Sequence, residues 1–215
     1  MHAPNFGVIP FNLLKAFPLV VLFLLAGCAT MSESECAQAD WRIIGLEDGA
    51  KGRALSYLGN HRKACAEYGI KPDLAEYQVG HRNGVRQYCI PQTGFRQGRS
   101  GRTYHDVCPA DLEGSFLAAY ETGRELHRLE NQIDQLAREI HDQEHDLEHL
   151  VEQQQDVETK LLSASLSTVE RKRVLDQFKQ LQSRVAILSD EIRRKELEMA
   201  RKQGEFDLLE RSHGY

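Results

Sequence analysis

The residues best equipped for chemistry in this chain are its cysteines, three spaced histidines and one run of arginines. Five cysteines occupy positions 28, 36, 65, 89 and 108. No two form a C-x-x-C pair, and their wide separations do not suit a zinc site, which draws paired ligands from short turns. His141, His145 and His149 fall at i, i+4 and i+8, with Asp142, Glu144 and Glu148 nearby. Neutral imidazoles at that spacing can chelate zinc, nickel or copper. The stripe falls on outward heptad positions, so a solvated face is expected and no metal is assigned. Between Tyr77 and His105 the chain carries Arg82, Arg86, Arg96, Arg99 and Arg102 and no acid. An arginine fork donates two parallel hydrogen bonds to a phosphate or carboxylate, so these five are anion-binding candidates. His105 and Asp106 beside Tyr104 form an isolated acid-like pair, for which a structural role next to Cys108 is expected. No Ser-His-Asp arrangement, H-E-x-x-H or phosphate-binding glycine loop occurs. The expectation is therefore a protein that is not an enzyme and holds no cofactor.

Cys28 has a different setting from the other four. It closes the apolar run "AFPLVVLFLLAG", Ala16 to Gly27, after the single basic residue Lys15. A spanning helix needs roughly 20 apolar residues. This run is shorter, has Pro18 inside it, and matches the apolar region of a signal peptide. "LAGC", Leu25 to Cys28, resembles the lipobox of bacterial lipoprotein precursors. That resemblance implies a diacylglycerol on the thiol, cleavage before Cys28 and a mature chain of residues 28–215. Several acyl chains hold a protein firmly where one does not. Ala29, in place of an aspartate, implies the outer membrane, with the chain on the periplasmic side. The periplasm is oxidising, so Cys36, Cys65, Cys89 and Cys108, an even set, are expected to form two disulfides.

Those cysteines sit in a small head, residues 36–111, joined to the anchor by a linker, 28–35. "LEDGAKG" reads as a turn after Trp41. "RALSYLGNHRKACAEYG" places Leu55, Leu58, Cys65 and Tyr68 near one helical face, ended by Gly69. "KPDLAEYQVGHRNGVRQYC" continues as a second, antiparallel helix with Pro72 near its first turn; Gly80 and Gly84 weaken it. "IPQTGFRQGRSG" reads as a loop, and "CPADLEGSF" opens another helix with Asp111 in its first turn. Three pairings of four cysteines are possible. Cys89 ends one helix and Cys108 precedes the next, which favours Cys89–Cys108. Antiparallel helices separate Cys65 from Cys89, which leaves Cys36–Cys65.

"ECAQADW", "IGLEDGAKG", "HRKACAEYGIKPD", "YQVGHRNGVRQYC" and "GRSGRTYHDVCP…F…AYETG" occur in that order. Together they resemble the YfiL-like lipoproteins of proteobacteria, a family filed as a domain of unknown function. The resemblance covers about Cys28 to Gly123 and includes all four head cysteines. It implies a lipoprotein and no particular activity. Many members of that family end soon after the "AY..G" motif, so the rest of this chain is an extension.

That extension, residues 112–215, has a countable pattern. From Leu126, the a positions are Leu126, Ile133, Ile140, Leu147, Gln154 and Leu161; the d positions are Leu129, Leu136, Gln143, Leu150 and Val157. A second run has Phe178, Val185, Ile192, Met199 and Phe206 at a, and Val174, Leu181, Leu188, Lys195, Lys202 and Leu209 at d. Nine of eleven positions in each run are apolar, a coiled-coil signal. The frame slips near "LLSASLSTVERKR". A turn there, with Ser167 and Glu170 as a capping box, gives an antiparallel hairpin with arms of about 65–75 Å. A stammer instead gives one long helix that pairs with a second chain, and the absence of Gly and Pro between Arg124 and Gln203 suits it. The serine and threonine cluster favours the hairpin. So do Lys195 and Lys202, which would each face a like charge in a parallel dimer. In the hairpin, Leu136, Ile140 and Leu147 are expected opposite Leu188, Val185 and Phe178. The two lysines are expected near Leu126 and Leu129, within reach of Glu125 and Glu130.

The fold class is thus mainly α: a small disulfide-bonded helical head followed by a long antiparallel helical hairpin. Residues 36–111 hold 11 basic and 8 acidic side chains, and residues 112–215 hold 15 and 22, so the head alone has a basic surplus. The function expected is structural or that of an adaptor, through an envelope protein partner on the hairpin. The alternative is a module that binds lipid phosphate, lipopolysaccharide or cell wall through the head arginines; an envelope enzyme is a third, weaker reading. Partners are the membrane, through acyl chains, and an envelope protein; nucleic acid is not expected.

Overall fold

A computed structural model describes residues 31–212. The apolar run and Cys28 lie outside the described residues. Those described are mainly helical and contain no strand. They form two compact units that divide between Val85 and Arg86, whereas composition divides the chain at 111/112.

The first unit begins with helix α1 (Glu33–Ala37), where Ser32 and Glu35 form a capping box. Helix α2 (Trp41–Ala50) follows, with Asp40 as N-cap accepting from Arg42 N and Ile43 N. A 3-10 turn (Leu55–Tyr57) leads into α3 (Leu58–Ala66) and then α4 (Leu74–Tyr88). Asp73 caps α4 by accepting from Ala75 N and Glu76 N, so Pro72 precedes the helix. The "LEDGAKG" stretch is not a turn: α2 runs through most of it. Gly49 within it and Gly45 just before it are packing residues. A methyl on Gly45 would strike the carbonyl oxygen of Tyr77, and one on Gly49 that of His81; methyls on Gly80 and Gly84 would strike the carbonyls of Arg42 and Leu46. Two pairs of glycines thus bring the α2 and α4 backbones together. Cys36, Trp41, Cys65 and Tyr77 form the core, with Met31, Ala39, Ile44, Leu58 and Ile70 against it. Cys36–Cys65 bridges it, with Cα atoms 5.6 Å apart.

The second unit contains α5 (Pro91–Arg99), α6 (Ala110–Leu161) and α7 (Thr168–Ser212). Here too a glycine-rich stretch expected to be a loop is a helix. Pro91 starts α5, where its missing N–H costs nothing. Gly94 and Gly98 face the carbonyls of Phe116 and Tyr120 on α6, and Gly123 faces that of Phe95. Cys89–Cys108 spans this helix, again with Cα atoms 5.6 Å apart. Both bridges join the pairs that the helix order favours.

The two units repeat one design. "GLEDGAKGR" (45–53) and "GFRQGRSGR" (94–102) share G-x3-G-x2-G-R. Gly52 and Gly101 both close their helices with positive φ, 72° and 67°. The Arg53 carbonyl accepts from His81 Nε2 at 2.7 Å, and the Arg102 carbonyl accepts from the Tyr120 hydroxyl at 2.8 Å. Tyr77 stacks on His81 as Phe116 stacks on Tyr120.

Beyond Gly123, α6 and α7 form the antiparallel hairpin. Every a and d residue of both runs is buried or half-buried. Leu150, Val157 and Leu181 form a core with Val174, Phe178, Val185 and Leu188 around it. The reversal at residues 162–167 is tied by the Ser167–Glu170 capping box and by Arg171, whose guanidinium donates to the carbonyls of Leu161 and Ser163. The register differs from the expected one. Lys195 donates to Glu139 and Lys202 to Gln132, farther along α6 than Leu126 and Leu129. The cause is the turn, which spends residues 162–167 asymmetrically: α6 runs its full heptads to Leu161, while α7 starts only after its Ser167 cap.

Candidate functional site

A buried group of ionisable side chains in the first unit centres on Asp48. Its carboxylate, 3% exposed, accepts from Arg53 Nη1 at 2.8 Å, His61 Nε2 at 2.7 Å and the Tyr77 hydroxyl at 2.8 Å. A buried carboxylate is tolerated only when charges and donors compensate its lost hydration, and here three donors do so. Burial, with the Asp48 hydrogen bond and charge, pushes the Tyr77 phenol well above its ordinary range. His61 is ringed by Trp41, Tyr57 and Tyr77, at centroid distances of 6.3, 5.4 and 6.2 Å. Arg53 lies 4.0 Å over the Tyr57 ring while it holds Asp48. The arrangement fastens α2 to the turn after it, to α3 and to α4.

The second unit shows what its shared framework does without this centre. By the motif's spacing Gln97 stands where Asp48 does; by ring contacts, Phe116 stacks on Tyr120 as Tyr77 does on His81, and Tyr104 lies against Phe116 as His61 lies against Tyr77. Tyr104 instead accepts from Cys108 N at 2.9 Å and donates to Glu113 at 3.2 Å. Burial raises its phenol. Tyr104 therefore secures the disulfide loop, while His105 and Asp106 stay exposed beside it and Asp106 takes a positive φ of 51°.

Each arginine named from the sequence has a definite place. Arg82 is exposed on α4. Arg86 forks onto Asp111 at 3.2 and 2.8 Å, and Arg99 forks onto Glu130 while facing the Phe206 ring at 5.4 Å. Arg96 donates to Thr93 and is exposed, as is Arg102. Two of the five thus already hold carboxylates of this chain. Those pairs lower both acids: Asp111 and Glu130 sit below the usual carboxylate range because of the arginine hydrogen bonds.

His141, His145 and His149 are all exposed on α6. His145 and His149 meet edge to face at 4.6 Å, and His149 Nδ1 lies 3.5 Å from Glu152. Among the described residues no group of three or more His, Cys, Asp or Glu side chains is arranged to hold a metal ion.

A groove of about 410 Å³ opens on the first unit. Leu58, Ala66, Gly69, Ile70, Pro72 and Leu74 line it with Arg62 and Lys71. Neither this groove nor the Asp48 centre stands out in the sequence. The centre's signal is the repeated G-x3-G-x2-G-R motif, in which only one copy carries an acid before its second glycine.

Residues 40–125 match the model of a family described as "Protein of unknown function (DUF2799)". The matched stretch takes in both copies of the repeated design and stops just before Leu126, where the seam of the hairpin begins. Among curated proteins and solved structures nothing matches this chain. No described helix is long and apolar enough to cross a membrane.

Proposed function

We propose that this chain is a periplasm-facing envelope lipoprotein, held at the outer membrane by acyl chains on Cys28, with a structural or adaptor role carried by its hairpin. In this reading it is no enzyme and uses no cofactor. The lipobox-like "LAGC" after a short apolar run supports the anchor, as does the likeness to the YfiL-like lipoproteins. The adaptor role rests on one observation. The exposed large apolar side chains of the hairpin lie on α7 and the turn, not on α6: Leu162, Val169, Leu175, Ile187, Leu197 and Leu208, from 37% to 80% exposed. Leu162 lies in the turn, and the other five sit on α7 outside the a and d positions that fill the seam. Single exposed apolar residues need no explanation, but a set confined to one arm suits a partner helix.

A photo-crosslinking residue at Leu197, compared with one at His145 on α6, tests the role in intact cells. A discrete adduct to one envelope protein from Leu197 alone is expected, and it persists at high salt because apolar contacts are little screened. Adducts from neither position, together with salt-labile binding lost in an Arg82/Arg96/Arg102 variant, would replace this reading with the anion-binding one.

A further inference from the structure

The groove on the first unit combines three properties. Its floor is apolar, with Leu58 and Ile70 continuous with the Trp41 core and Leu74 left 52% exposed at its edge. Its charged lining is only cationic: Arg62 and Lys71, both exposed. The core cluster behind it includes a residue close to the anchor along the chain. Met31 packs on the same cluster as Leu58 and Ile70, and Met31 is three residues after Cys28, a span of at most about 11 Å in fully extended chain. An acylated Cys28 would hold the unit's core cluster close to the membrane surface, with little slack. A volume of about 410 Å³ falls in the range of small-molecule sites.

We infer that the Leu58–Ile70–Leu74 groove seats one acyl chain of an anionic glycerophospholipid from the leaflet that carries the anchor, with its phosphate between Arg62 and Lys71. This rests on the anchor reading above. An acyl chain is the ligand that matches an apolar floor, and a phosphate is the group that matches two unpaired-sign neighbours at its rim. Exposed lysine and arginine near an anionic leaflet add attraction that falls off within a Debye length.

Trp41 is the only tryptophan of the chain and is buried in the cluster that backs the groove. The test uses full-length protein made in an acylating host and placed in vesicles of phosphatidylglycerol and phosphatidylcholine, with bromine on the phosphatidylglycerol acyl chains. Flotation of the protein with the vesicles reports the anchor, and Trp41 emission reports the groove. The expected result is flotation with quenched Trp41 emission, and recovery of emission in an R62Q/K71Q/L74D variant that still floats. All three positions are exposed, and a circular dichroism spectrum equal to the native one shows that the variant folds. Flotation with unquenched Trp41 overturns the groove and leaves the anchor. Equal quenching in native and variant proteins also overturns it, because nearness of the unit to the bilayer then explains the signal. Failure to float overturns the anchor and the groove's assignment with it.

Discussion

The Tyr77 hydroxyl donates to the Asp48 carboxylate at 2.8 Å in the interior of the first unit, across a sequence separation of 29. Removing one partner of such a buried group strands the others. Asp48→Ala leaves Arg53, His61 and Tyr77 without their common acceptor, and the loss of stability expected is about 3–5 kcal/mol. Tyr77→Phe removes one hydrogen bond and installs the residue that the second unit has at Phe116, so the cost expected is about 1 kcal/mol. Urea denaturation of the two variants checks this, and equal costs would contradict a lock centred on the carboxylate.

Glycine should divide into two kinds in the second unit. A methyl at Gly98 meets the Tyr120 carbonyl and Arg124 N, both backbone, so Gly98→Ala is expected to lose about 1–3 kcal/mol by overpacking. Gly204 lies inside α7 with nothing within 4 Å of an added methyl. Gly204→Ala is expected to gain up to about 1 kcal/mol from helix propensity. Thermal melts of the two single variants give the sign of each.

Acid should loosen the hairpin base. Hydrogen bonding to Arg99 lowers Glu130, and hydrogen bonding to Lys195 lowers Glu139, both below their ordinary value of 4.5. A carboxylate lowered in the folded state binds fewer protons there than in the unfolded chain. Its stabilisation is therefore present above about pH 4.5 and is lost as pH falls through the lower folded value. Both groups are partly exposed, so each effect is modest and weakens with salt. Denaturation midpoints measured from pH 7 to pH 3 should fall, and less steeply in an E130Q/E139Q variant. An identical pH dependence in native and variant protein would contradict these assignments.

The hairpin register makes a geometric prediction. Gln132 and Lys202 meet at 2.8 Å between Oε1 and Nζ. Cysteines at these two positions should form a disulfide within one chain at high dilution, and a pair at Leu129 and Lys195 should not. Bridges that form only between chains, with a dimer in sedimentation, would show that the two arms pair with another copy.

Much of this architecture is legible in the sequence where its cause is local or periodic. The seam of α6 and α7 follows from apolar residues recurring at a and d, and the turn follows from Ser167 and Glu170, three residues apart. The register is less legible because it depends on how the turn spends its residues. The helices α2 and α5 are not legible from propensity, since Gly45, Gly49, Gly94 and Gly98 each weaken a helix considered alone. They form because a glycine that costs local stability allows another helix backbone to come close, which only the partner's carbonyls reveal. The Asp48 centre is hidden for a similar reason: Asp48, His61 and Tyr77 are dispersed along the chain and meet only after α2, α3 and α4 pack. The apolar groove is hidden likewise: Leu58, Ile70 and Leu74 come from separate segments that meet only in the packed unit.

The anchor carries both the adaptor reading and the lipid groove, and the mass of the mature N-terminal peptide tests it most directly. Protein purified from membranes of an acylating host should begin at Cys28 and carry acyl groups on that residue, while Cys28→Ser should give a longer, unacylated precursor. A native chain that retains residues 1–27, or a free Cys28 thiol in membrane-derived material, would contradict the account.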